Sequence, residues 1–187
     1  MSIEKTRREV SRLRAEFSVE PRESALRLAQ RLSWYSMELA LAKDYDKSEQ
    51  TWEEAYGVAR YVLKGSGPTQ YERTELIRIG VGTAHAMLLA GKQDDALAVV
   101  EETERQYDRL VSETDSPEMV LALRGPILGV RAEMLHDQGD REAEIAAMCE
   151  SILEMLAGSE ASPAIVNSMV REPLRQLHAL LSSGDDQ

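Results

Sequence analysis

One cysteine, Cys149, stands in 187 residues, so no internal disulfide and no cysteine-rich metal site can be built. A lone thiol suits a reducing cytoplasm. Phenylalanine occurs once while Ala, Leu, Glu and Arg are abundant, a balance that favours helix over sheet. Long apolar runs are missing: none approaches the ~20 residues of a membrane span. The opening MSIEKTRREV has no apolar stretch behind its basic residues, which predicts no signal peptide. Positive charge is scarce, 22 Lys and Arg against 33 Asp and Glu, for a formal charge of −11. Phosphate backbones would be repelled, so nucleic acid is not an expected partner. The three histidines, His85, His136 and His178, have no second His three or four residues away, and the helical zinc motif is absent. Nucleophile-elbow, phosphate-loop and dinucleotide glycine patterns are missing too, so no cofactor, metal or catalytic residue is expected.

What the chain does have is a spacing. Pro21, Pro68, Pro117 and Pro163 lie 47, 49 and 46 residues apart, three of them preceded by Ser or Gly. Proline fits the first position of a helix and Ser or Gly fits the cap before it, so four helices are predicted to open at near-equal intervals. Each interval holds two helices, and a period of 20–50 residues is the signature of a helical repeat. Apolar spacing predicts eight helices, at about 3–17, 21–43, 48–64, 69–90, 93–113, 117–138, 140–157 and 163–182. The expected core faces are Leu28, Leu32, Tyr35 and Leu39 on the second, and Trp52, Ala55, Tyr56, Ala59 and Leu63 on the third. They continue with Leu97, Val100, Tyr107 and Leu110 on the fifth, and Val166, Met169, Val170, Leu174, Leu177 and Leu181 on the last. The fourth is apolar on several sides, which predicts a helix sandwiched between neighbours, and Gly80 and Gly82 thin it for close approach. Pro126 is predicted to kink the sixth and Pro173 to bend the eighth. Short linkers predict one domain over 1–187: a basic helix at 1–17, three hairpins over 21–158, a capping helix at 163–182 and a frayed tail at 183–187.

Two turns carry a family pattern. Ala84-His85-Ala86-Met87-Leu88-Leu89-Ala90-Gly91-Lys92-Gln93-Asp94-Asp95-Ala96-Leu97 resembles the centre of a tetratricopeptide (TPR) repeat. There a small residue packs the first helix, Gly makes the turn and Ala packs the second. Ala132, Gly139-Asp140 and Ala143 repeat it, with the last one residue early. A fainter copy begins at Trp52-Glu53-Glu54-Ala55, with Asp44-Tyr45 in place of the Gly turn. The family period is 34 residues and this one is about 47, so the helices are longer. The resemblance implies an all-α fold of stacked antiparallel hairpins, a TPR-like right-handed α-solenoid of about eight helices. It also implies a groove lined by the first helix of each pair. Its positions fall on Arg78, Val81, His85 and Leu88, and on Gly129, Glu133 and His136.

Three further features bear on partners. Residues 1–31 carry a surplus of three positive charges and the remainder sums to −14, so the first helix docks on an acidic body or on an acidic partner. Its stripe Ile3, Val10, Leu13 and Phe17 faces that body, or forms the seam of a homodimer. Trp34, Tyr35 and Trp52 fill the first hairpin's core or anchor a partner peptide. The expectation is a non-catalytic, cytoplasmic protein-binding module, an adaptor or chaperone-like regulator, with a basic or amphipathic protein segment as partner. Alternatives are a helical-bundle enzyme using Glu133, His136 and His85, and a structural homo-oligomer.

Overall fold

The computed structural model describes residues 3–64, 67–115, 120, 123–157 and 163–182. Among them the chain is all-α, with no strand. Eight helices follow in order: α1 Ile3–Val19, α2 Pro21–Leu41, α3 Tyr45–Leu63, α4 Gln70–Leu89, α5 Gln93–Glu113, α6 Arg124–Gln138, α7 Arg141–Ala157 and α8 Pro163–Ser182. Where short linkers predict one domain, the chain groups into two compact units, Met1–Gln106 and Tyr107–Gln187, the division falling inside α5.

The predicted repeat is present, carried by turns rather than by prolines. Lys43, Gly91 and Gly139 all have positive φ, at 64°, 76° and 76°, and lie 48 residues apart. Each closes its helix by the same pair of bonds. Gly91 N–H donates to Leu88 O and Lys92 N–H to Met87 O, both 2.9 Å. Gly139 to His136 and Asp140 to Leu135 repeat the pair, as do Lys43 to Ala40 and Asp44 to Leu39. This is the Schellman arrangement, which satisfies the last carbonyls of a helix and needs a left-handed residue at its centre. The first hairpin therefore turns like the others, with Lys43 holding the position that the sequence pattern reserves for Gly.

The same register of 48 runs into the core. Ser36, Ala84 and Ala132 are each 0% exposed, seven residues before the turn. Five residues after it stand Ser48, Ala96 and Glu144, all buried. Small side chains on facing helices let the hairpin close, and in the first repeat Ser48 Oγ donates to the Ser36 carbonyl at 2.8 Å. The small residue expected at Ala143 thus belongs one place on, at Glu144.

Prolines play a narrower part than predicted. Pro21 and Pro163 do open helices. Pro68 stands one residue before the α4 cap, and Thr69 does the capping. Its Oγ1 accepts from Glu72 N–H at 3.2 Å while Glu72 accepts from Thr69 N–H at 2.7 Å. Pro117 lies outside the described residues, and α6 starts only at Arg124, so Pro126 falls in its first turn, where no N–H is required. The predicted kink has no physical basis there. Pro173 lies inside α8. α3 begins at Tyr45, three residues earlier than predicted, and Ser48 is buried within it. The side chains of Leu63, Val166 and Met169, and the tail 183–187, lie outside the described residues.

The first unit has its core on Val10 and Leu13 of α1, Leu28, Leu32 and Leu39 of α2, Ala55 and Ala59 of α3, and Leu76 and Ile77 of α4. Each fully buried Leu contributes roughly 1.5–3 kcal/mol. α4 is the sandwiched helix its composition predicts. A Cβ on Gly80 would stand 2.2 Å from Thr103 Oγ1 of α5, and one on Gly82 2.4 Å from the Trp52 ring of α3. In the second unit Ala132, Met148, Ile152, Met155 and Val170 form the core, with Ala147 and Leu177 packed on it.

Candidate functional site

The candidate groove residues belong to two units. Arg78, Val81, His85 and Leu88 are on α4 of the first; Gly129, Glu133 and His136 are on α6 of the second. On α4, Arg78 and His85 are exposed and Val81 is half-buried, but Leu88 is buried at 8%. Leu88 is thus a core residue, and its neighbour Leu89, 70% exposed, stands on the accessible side. Tyr71, Arg78, Val81, His85 and Leu89 step by 7, 3, 4 and 4 residues along one face. Arg78 pairs with Glu75 at 3.4 Å, one turn back.

α2 adds a second row to this face. Gln30 Nε2 donates to the Tyr71 hydroxyl at 2.8 Å, joining α2 to α4. Trp34, Met37 and Leu41 follow Gln30 at steps of 4, 3 and 4, so they share its side of the helix. They are 48%, 44% and 85% exposed. Two antiparallel turns separate α2 from α4, so the two helices run the same way. From the Gln30–Tyr71 bond, Trp34 and Met37 stand four and seven residues on from Gln30, as Glu75 and Arg78 do from Tyr71. Trp34 Nε1 donates to Glu38 Oε1 at 3.2 Å, which fixes the indole without burying it. The result is a strip of Trp, Met, Leu and Tyr side chains edged by Arg78 and His85.

The three aromatic anchors separate. Trp34 stands on the α2–α4 strip rather than in the core. Tyr35, one residue on and half-buried, turns to a cleft among α1, α2 and α3. Trp52 packs across Gly82. Met37, Leu41, Tyr71 and Leu89 were not among the sequence candidates. The signal that could find them is the step of 3 and 4 from Trp34 through Met37 to Leu41, offset from the core row of Leu28, Leu32 and Leu39.

The α1 stripe is spent inside the first unit. Val10 and Leu13 are 0% and 3% exposed, and Phe17 meets Tyr61 of α3 edge-on, with ring centroids 5.7 Å apart. Only Ile3 reaches the surface, at 38%. A homodimer seam on these four residues would need Val10 and Leu13 outside. Charge helps hold the helix in place: Arg14 pairs with Glu54 of α3, Glu9 with Arg31 and Glu16 with Arg27 of α2.

On α6, Gly129 is half-buried, where an added Cβ would make ordinary contact with Ser151 Oγ at 3.6 Å. Glu133 is half-buried as well. His136 faces Glu144, its Nδ1 3.1 and 3.2 Å from the two carboxylate oxygens. Of the residues named for the enzyme alternative, His85 is in the first unit and Glu133 and His136 are in the second. Among the described residues no group of three or more His, Cys, Asp or Glu could hold a metal. None of their helices is long and apolar enough to cross a membrane. No protein-family model, curated protein or solved structure matches the chain.

Proposed function

We propose that this chain is a non-catalytic protein-binding module, a TPR-like helical repeat whose α2–α4 strip holds a segment of a partner. The single observation that supports the reading is the row Trp34, Met37 and Leu41, exposed on a well-packed helix and bonded through Gln30 to a second exposed row on α4. Aromatic and Met side chains with an Arg at the margin are the composition of a binding hot spot, and a rigid helical base lowers the entropy lost on docking. The partner segment is amphipathic, its apolar side against Trp34 and Met37. Basic residues on its other side suit a chain of charge −11. An adaptor or chaperone-like role in the cytoplasm follows from such a surface, and the wider solenoid belongs to the same proposal.

The test is capture of the partner from the native host by the full chain. Trp34→Ala with Leu41→Ala should cut capture by roughly tenfold or more, as losing a hot spot does, with helical circular dichroism unchanged. Arg78→Glu with His85→Ala should weaken it further. Capture that survives both pairs means that the strip is not the binding surface.

A further inference from the structure

We propose that the cleft among α1, α2 and α3 is a binding site for a small polyanion, a molecule that carries a short phosphate chain. The cleft has a volume of about 570 Å³, within the ~300–1,000 Å³ of small-molecule sites. Its charge sets it apart from the rest of an acidic chain. Arg7, Arg8 and Arg14 enter from α1 and Lys47 from α3, against a single carboxylate in the lining, Glu54. Helical spacing explains the gathering: residues 7 and 14 are two turns apart on one side of α1, and residues 47 and 54 are two turns apart on one side of α3.

Each cation has a carboxylate neighbour, and these neighbours are what the ligand must displace. Arg7 and Arg8 share one oxygen of Glu4, at 3.0 and 3.4 Å, so one carboxylate serves two guanidinium groups. Lys47 pairs with Asp44 and Arg14 with Glu54. The side chains of Arg8 and Lys47 are 79% and 67% exposed. Exposed pairs of this kind are worth ~0–1 kcal/mol each, so exchanging Glu4 and Asp44 for a ligand costs little. A phosphate chain offers several adjacent charges at once, to guanidinium forks that match phosphate geometry. Hydrogen bonds to Glu54 and Asp44 raise the pKa values of Arg14 and Lys47 above their ordinary ones, so both stay cationic at neutral pH. Tyr35 of α2 lines the same cleft as Arg14 and Lys47.

The experiment is a calorimetric titration of the full chain at low ionic strength with sodium tripolyphosphate, with ATP and with adenosine. Tripolyphosphate and ATP should each saturate a single site whose affinity falls as salt rises, and adenosine should not bind. Arg8→Glu with Lys47→Glu should weaken both by roughly tenfold or more, and Arg8→Gln with Lys47→Gln by less. In the unaltered chain, amide shift changes on adding tripolyphosphate should centre on α1 and the start of α3. Absence of binding by both phosphate probes into the millimolar range overturns the proposal. So does binding that the charge reversals leave intact, or adenosine binding as tight as ATP. The α2–α4 strip is untouched by these substitutions, so partner capture should survive them.

Discussion

Lys43 is the residue at which sequence and backbone disagree most plainly. It holds φ 64° at a turn that Gly91 and Gly139 make at 76°. A side chain in the left-handed region clashes with its own carbonyl at a cost of roughly 1–2 kcal/mol, part of which glycine would return as extra freedom in the unfolded chain. Lys43→Gly should therefore stabilise the protein by about 0.5–1 kcal/mol. Gly91→Ala and Gly139→Ala should each destabilise it by about 1 kcal/mol. Urea midpoints at constant m-value check all three. Tyr56 gives a second case. Its ring is buried at 8%, and its hydroxyl lies beside Thr103 with no well-formed hydrogen bond. Burial pushes its pKa up from 10.0 to about 12. With the folded value the higher one, the stability that the neutral phenol contributes is intact below pH 10 and is lost as pH rises toward 12. Tyr56→Phe removes this poorly bonded hydroxyl, so it should be neutral or stabilising at pH 7. It should also flatten the alkaline fall in stability between those two values. An unchanged alkaline limb would assign that fall to other groups.

At the scale of the element, two glycines in helices should respond in opposite directions. Gly57 lies in α3 with nothing within 4 Å of a built Cβ, so Gly57→Ala should stabilise by about 0.5–1 kcal/mol through helix propensity alone. Gly82 lies in α4 against the Trp52 ring, and the same change would force an overpacked contact costing roughly 1–3 kcal/mol. Gly82→Ala should also shift tryptophan fluorescence, since Trp52 must move; equal melting temperatures for the two variants would contradict the interlocking of α3 with α4. Sequence and structure agree at this level for definite reasons. Helix number was legible because the apolar period of α2, α3 and α5 is strong. Gly91 and Gly139 were legible because a left-handed turn selects for glycine, whereas the turn at Lys43 is carried by backbone bonds that no residue type announces. Leu88 was placed in the groove by the resemblance alone, and α4, apolar nearly all round, offers no contrast between Leu88 and Leu89 to correct it. In Trp34-Tyr35 the side chains point about 100° apart, and spacing alone does not tell which faces the core. The contact of His136 with Glu144 was not legible because the pattern placed the packing residue at Ala143, one place early.

At the scale of the molecule, a repeat of 48 residues coexists with a division that does not follow it. The three turns are equivalent, yet the boundary between Gln106 and Tyr107 cuts α5, the second helix of the middle hairpin. The first unit draws buried residues from α1 through α5, including Val99, Val100 and Thr103. Gln106 closes it by accepting from Arg73 Nη1 at 2.7 Å. A chain ending at Glu113 keeps α5 whole and contains every one of these groups, and its length falls within the usual ~100–150 residues of a domain. We expect residues 1–113 to melt cooperatively, with per-residue ellipticity close to that of the full chain. The remaining residues make a smaller core, centred on Ala132, Met148, Ile152, Met155 and Val170, and should be less stable alone. The α2–α4 strip and the basic cleft both lie within 1–113, so this fragment should also bind tripolyphosphate and capture the partner. A broad, non-cooperative melt would show that the first unit depends on the second to fold. A cooperative fragment that lost capture would place part of the binding surface beyond α5, where Gly129, Glu133 and His136 lie.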